Sequence, residues 1–160
     1  MFFGLNSISI IYIEDPKTYA FGEVSLMLSS SVVSNSSFTV VNDGNITETY
    51  RISCNTTTAG GSPWSPGSVR SDDVFVLRGA FYTVRPSSES FKDDDIIPEG
   101  PSDYVVCSTS TVAIDASHTG KKVYRNTKRW LWFSFQPPTT SGTAAQQEIT
   151  VTISAQEDYP

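Results

Sequence analysis

The segment Ser37-Phe38-Thr39-Val40-Val41-Asn42-Asp43-Gly44-Asn45-Ile46-Thr47-Glu48-Thr49-Tyr50-Arg51-Ile52-Ser53-Cys54 decides the fold class. Phe38 to Val41 is a β-branched and aromatic run. After a short Asn/Asp/Gly loop, Tyr50, Ile52 and Cys54 alternate with Thr49, Arg51 and Ser53. Period-two alternation is the mark of a strand with one buried face. Asp43-Gly44 at the loop centre supplies a residue that tolerates the positive φ of tight hairpin turns. The expectation is an antiparallel hairpin across Ser37 to Cys54, and with it an all-β domain.

Upstream, Leu5 to Ile13 reads as a strand that is apolar on both faces. Ile8, Ile10 and Tyr12 point one way, Leu5, Ile11 and Ile13 the other, and such a strand calls for cover on two sides. Glu14-Asp15-Pro16 ends it, because proline cannot continue a ladder. The opening stretch lacks a basic n-region and a small-residue cleavage site, so it reads as part of the working protein. Tyr19 to Val33 follows as two short strands or one bent one.

Downstream, Thr56 to Ser71 is a loop around Pro63-Trp64-Ser65-Pro66-Gly67, where Trp64 fits a plug at the end of a sandwich. Asp73 to Tyr82 is a strand region, and Arg85 to Asp103 an irregular acidic excursion. Tyr104 to Ile114 alternates again. Lys128 to Phe135, with Trp130, Leu131, Trp132, Phe133 and Phe135, reads as a central strand, and Glu148 to Ala155 has the cleanest alternation in the chain. Turn chemistry between about seven to nine strands predicts an antiparallel β-sandwich. Residues 1–16 form its N-terminal strand and residues 17–160 the body.

Composition agrees. The chain has 160 residues, enough for one domain with a sizeable core. Only 18% of residues are charged and 12% are aromatic, which suits Thr/Ser-faced strands better than Glu/Lys-rich helices. A net charge of -6 argues against a nucleic-acid surface. The basic cluster Lys121, Lys122, Arg125, Lys128 and Arg129 reads as a solvated strand edge. No run is long enough to span a membrane as a helix.

Little in the sequence points to catalysis. The single histidine, His118, lies beside Gly120 with no nucleophile in a recognisable setting. Cys54 and Cys107 have no metal-ligand spacing; they form one inter-strand disulfide or two buried thiols, and the secreted-looking composition favours the disulfide. Asp93, Asp94, Asp95 and Glu99, with Asp72 or Asp73 nearby, offer hard oxygen ligands suited to calcium, without the spacing of a calcium loop. Asn35, Asn45 and Asn55 each open a glycosylation acceptor triplet.

Phe-Thr-Val-Val-Asn-Asp-Gly-Asn-Ile-Thr-Glu-Thr-Tyr, residues 38–50, resembles the "Phe-x-Val-x-Asn-x-Gly-Asn" hairpin of bacterial and archaeal extracellular Ig-like domains. The likeness covers about twenty residues and extends loosely to Trp130–Phe135 and Ile149–Ala155; the acidic excursion departs from it. It implies an Ig-like sandwich acting outside the cell, in a surface protein, adhesin or filament. The expected function is therefore a non-enzymatic structural subunit. Its strand Leu5, Ile8, Ile10, Ile11, Tyr12 and Ile13 would insert into a neighbouring copy by β-strand addition and so build a head-to-tail homopolymer. The alternative is a carbohydrate-binding or adhesive module using Trp64 and Tyr82 with a structural calcium.

Overall fold

The structure, a computed structural model, describes residues 8–26, 30–107 and 119–158. Its strands are β1 (Ile11–Ile13), β2 (Val32–Val33), β3 (Phe38–Asn42), β4 (Glu48–Thr58), β5 (Ser65–Pro66), β6 (Val74–Phe81), β7 (Val105–Val106), β8 (Thr127–Gln136) and β9 (Gln147–Glu157). They form an all-β sandwich. One sheet has the order β1-β3-β8-β6-β5, with β2 also on β8; the other has the order β7-β4-β9. All pairings are antiparallel except β5 with β6.

The segment that announced the fold class is not a hairpin. β3 pairs with β1 and β8, whereas β4 pairs with β7 and β9. Between Asn42 and Glu48 the chain therefore arches from one sheet to the other. Buried Asn42 holds this arch: its Nδ2 donates to the carbonyls of Ile46 and Val123, both at 2.9 Å, and its Oδ1 accepts from the Gly44 N–H at 2.9 Å. Gly44 does not have a positive φ; among the described glycines Gly22 and Gly61 do. It is needed for close approach. A Cβ there would collide with the carbonyl of Ile8 and lie 3.0 Å from the Ile10 nitrogen.

The expected central strand is β8, which carries β2, β3 and β6. Alternation along it sends Leu131, Phe133 and Phe135 inward to meet Tyr50, Ile52 and Cys54 of β4. Each fully buried side chain of this size contributes about 1.5–3 kcal/mol before ordering costs. Phe135 is an aromatic hub, with ring centroids 5.2 Å from Phe21, 5.7 Å from Phe75 and 6.5 Å from Trp64. Trp64 is the expected plug: its ring stacks on Phe135 and its Nε1 donates to Ser141 Oγ at 2.8 Å.

The acidic excursion covers the outer face of the first sheet. Phe91 joins Val33, Ala80 and Trp132 in a second apolar cluster, with Tyr82 packed against it. Arg85 clamps the excursion to β2 through 2.9 Å bonds to the carbonyls of Ser34 and Val33. The chain then crosses to the second sheet. Ile97 N–H donates to the Leu77 carbonyl, Cys54 N–H to Pro98 and Gly100 N–H to Cys54, each at 2.9 Å. One flank of the sandwich, between β6 and β4, is thereby closed.

Candidate functional site

The opposite flank is built differently. There the margins of the two sheets are β1 and β9, and among the described residues neither has a second strand partner. Between them lies a groove of about 310 Å³ lined by Ile11, Tyr12, Ile13, Lys17, Val40 and Ile153. Ile149, Val151, Ile153 and Ala155 of β9 face the core but are only partly buried. Their apolar surface is therefore only partly covered.

Among the described residues β1 and its lead-in are zipped to β3 and the arch on one side only. Ile11, Tyr12 and Ile13 oppose Asn42, Val41 and Val40. Beyond them the Asp43 N–H donates to Ile10 at 2.9 Å and the Asn45 N–H to Ile8 at 3.1 Å, while the Ile8 N–H donates to Asn45 Oδ1 at 2.8 Å. Glu14 pins the far end through a 2.6 Å ion pair with Lys128 Nζ, which raises the lysine pKa. Of the expected donor-strand residues, Leu5 lies outside the described region. Ile8, Ile10 and Tyr12 are exposed, and Ile11 and Ile13 are half-buried in the chain's own sheet. In this single chain the strand is an edge strand of its own domain, with one face covered and the other facing solvent.

Glu48 lies beneath the lead-in. It shares the inward period of Tyr50, Ile52 and Cys54 and is fully buried. Burial pushes its pKa up; the Ser9 hydroxyl and the Ile10 backbone act in the opposite direction, yet neither completes a hydrogen bond to the carboxyl oxygens. Nearby, burial also raises the Tyr50 pKa, with Glu48 adding to the effect, while half-buried Arg129 is shifted down. Arg129 donates from Nε to the Thr119 carbonyl at 2.8 Å, so the basic cluster is not one uniform solvated edge; Lys122, Arg125 and Lys128 are exposed.

The expected disulfide is not formed. Cys54 and Cys107 are both free and buried. The β4–β7 register pairs Arg51 with Val106, which places Cys107 opposite Tyr50 and four positions from Cys54. That is about 13 Å along a strand, well beyond the ~7 Å a disulfide can span. Desolvation pushes the Cys54 thiol up to about 12 and raises Cys107 as well.

The candidate calcium ligands do not converge. Asp93 pairs with Arg78 at 2.9 Å, and Asp95 is buried with its Oδ2 accepting from the Lys92 N–H at 2.6 Å. Asp94 is exposed, and Glu99 forms a backbone bridge with Cys54. Asp72 and Asp73 instead receive bonds from Thr140 Oγ1 at 2.6 Å and the Gly142 N–H at 2.8 Å. Among the described residues no group of three His, Cys, Asp or Glu side chains is arranged to hold a metal. Of the acceptor asparagines, Asn35 and Asn45 are exposed and Asn55 is half-buried within β4. His118 lies outside the described residues.

Glu48, Asn42 and the open margin of β9 were not picked out from the sequence. The first carried a signal, since its parity with Tyr50 places it inside. No family model, curated protein or solved structure matches the chain. Among the described residues no helix is long and apolar enough to cross a membrane.

Proposed function

We propose that the protein is a structural subunit of an extracellular filament or surface layer, assembling by exchange of its N-terminal strand between copies. The observation that carries this reading is the attachment of residues 8–13, bonded to β3 and the arch along one side, with Ile8, Ile10 and Tyr12 left exposed. A marginal strand can leave without opening the β3–β8–β6 ladders behind it. Its place beside β3 is then free for the same strand of a neighbour, which makes identical main-chain bonds. Such a contact is head-to-tail and extends into a filament. The composition, with few charges and many Thr and Ser, and the resemblance of the arch segment to extracellular Ig-like domains support the setting.

Electron microscopy of the purified full chain, beside a variant lacking residues 1–14, tests the proposal. Filaments from the full chain and none from the truncated one are expected. A truncated protein that still polymerises, or a full chain that stays monomeric at high concentration, overturns it.

A further inference from the structure

The second sheet contains an edge that the strand exchange does not use. β9 is eleven residues long, Gln147 to Glu157, and among the described residues its only partner is β4. Sheet edges of this length are ordinarily blunted by proline, inward charge, a central lysine or a covering segment. β9 has no proline or lysine, and its two carboxylates, Glu148 and Glu157, sit near its ends. The opposite flank shows how this fold closes a margin, with residues 97–100 laid across from β6 to β4.

We propose that β9 is a docking edge for β9 of a second copy, the two pairing antiparallel about a two-fold axis at Thr152 and joining two three-stranded sheets into one. The sequence of β9 fits itself in this register, the one that uses its whole length. Ile149 meets Ala155 and Val151 meets Ile153, so the half-covered apolar row of each copy extends the other's. Thr150 meets Ser154 and Thr152 meets its own counterpart on the exposed face. Glu148 faces Gln156 and Glu157 faces Gln147, so no carboxylate opposes another. The axis is perpendicular to the sheet, which keeps the first sheets of both copies on one side and brings their grooves beside Ile153 together. The contact is isologous and closed. It adds a lateral pairing of subunits to the head-to-tail one and stands independently of it.

Cysteine scanning on the full chain decides the matter. Thr152→Cys places two thiols across the axis, whereas Ser154→Cys faces Thr150 and has no thiol partner. Cys54 and Cys107 are buried and do not interfere. Mild oxidation is expected to give a covalent dimer of Thr152→Cys and not of Ser154→Cys. Thr152→Lys, an exposed substitution that sets like charges face to face, should weaken dimerisation in sedimentation by roughly tenfold. Equal cross-linking of the two cysteine variants, or a monomer at all concentrations, overturns the proposal. Filaments without the cross-link would refute this contact and leave strand exchange standing; cross-linked dimers without filaments would do the reverse.

Discussion

Gly44 lies directly under the carbonyl of Ile8, so close that the arch and the N-terminal strand leave no room for a side chain between them. Gly44→Ala should therefore act on the strand and not on the arch's dihedral angles. The expected loss is about 1–3 kcal/mol. Hydrogen exchange should localise it, with the amides of Asp43 and Asn45 losing protection while those of β4 and β9 keep theirs. Uniform loss across both sheets would show that the contact is not local.

Glu48 gives a pH dependence whose sign is fixed by burial. Its folded-state pKa is raised above the ordinary 4.5, so the folded chain holds the proton more tightly than the unfolded one. The stability this contributes is fully present below about 4.5 and is lost as pH rises through the raised value. Glu48→Gln should flatten that slope and stabilise the protein at neutral pH. Urea midpoints at pH 4, 6 and 8 for both proteins check this.

Cys54 and Cys107 should be unreactive in the native state at pH 8, because burial keeps both thiols protonated. Denaturation without reductant should expose two alkylatable thiols, read as two adducts in the intact mass.

Phe135→Ala should cost about 3–5 kcal/mol, since the ring touches Phe21, Phe75 and Trp64 from three separate segments. Thermal or urea unfolding measures it. Loss of near-ultraviolet dichroism from Trp64 should accompany the change.

Asp95 and Asp93 should separate in a stability series. Asp95→Ala removes a buried acceptor from the Lys92 N–H and should cost about 1 kcal/mol. Asp93→Ala breaks an exposed ion pair with Arg78 and should stay within about 0.5 kcal/mol. Millimolar calcium should leave the melting temperature of the parent protein unchanged.

Strand content was legible in the apolar run of β8 and in the long alternation of β9; most of the alternating stretch Tyr104–Ile114 lies outside the described residues. The pattern did not say which strands would be neighbours. Phe38–Val41 and Tyr50–Cys54 each carry the pattern of a half-buried strand, and an arch between facing sheets demands the same pattern as a hairpin within one. What distinguishes them is the buried amide of Asn42 bonded to Val123, a contact with a distant segment. The cysteine pairing failed for a related reason. Both residues do point inward, but only the β4–β7 register reveals the four-residue offset between them. The carboxylates of the acidic run do not converge, because within the single turn of 3-10 helix Asp93–Asp95 the first pairs with Arg78 and the last turns back on the Lys92 N–H.

The β4–β9 ladder joins Glu48 to Glu157 and Thr58 to Gln147, so the longest pairing among the described residues links an early strand to a much later one. Contacts this remote in sequence incur loop-closure entropy before any bond repays it, and folds that depend on them mature in milliseconds to seconds. A growing chain can lay down the arch and the start of the first sheet, but β4 waits for its main partner until β9 has been made, some ninety residues later. Until then its inward row, Tyr50, Ile52 and Cys54, is open on one side to other unfinished chains. Completion of the second sheet is thus timed by β9, and a chain ending before Gln147 keeps the arch and loses the sheet it leads to.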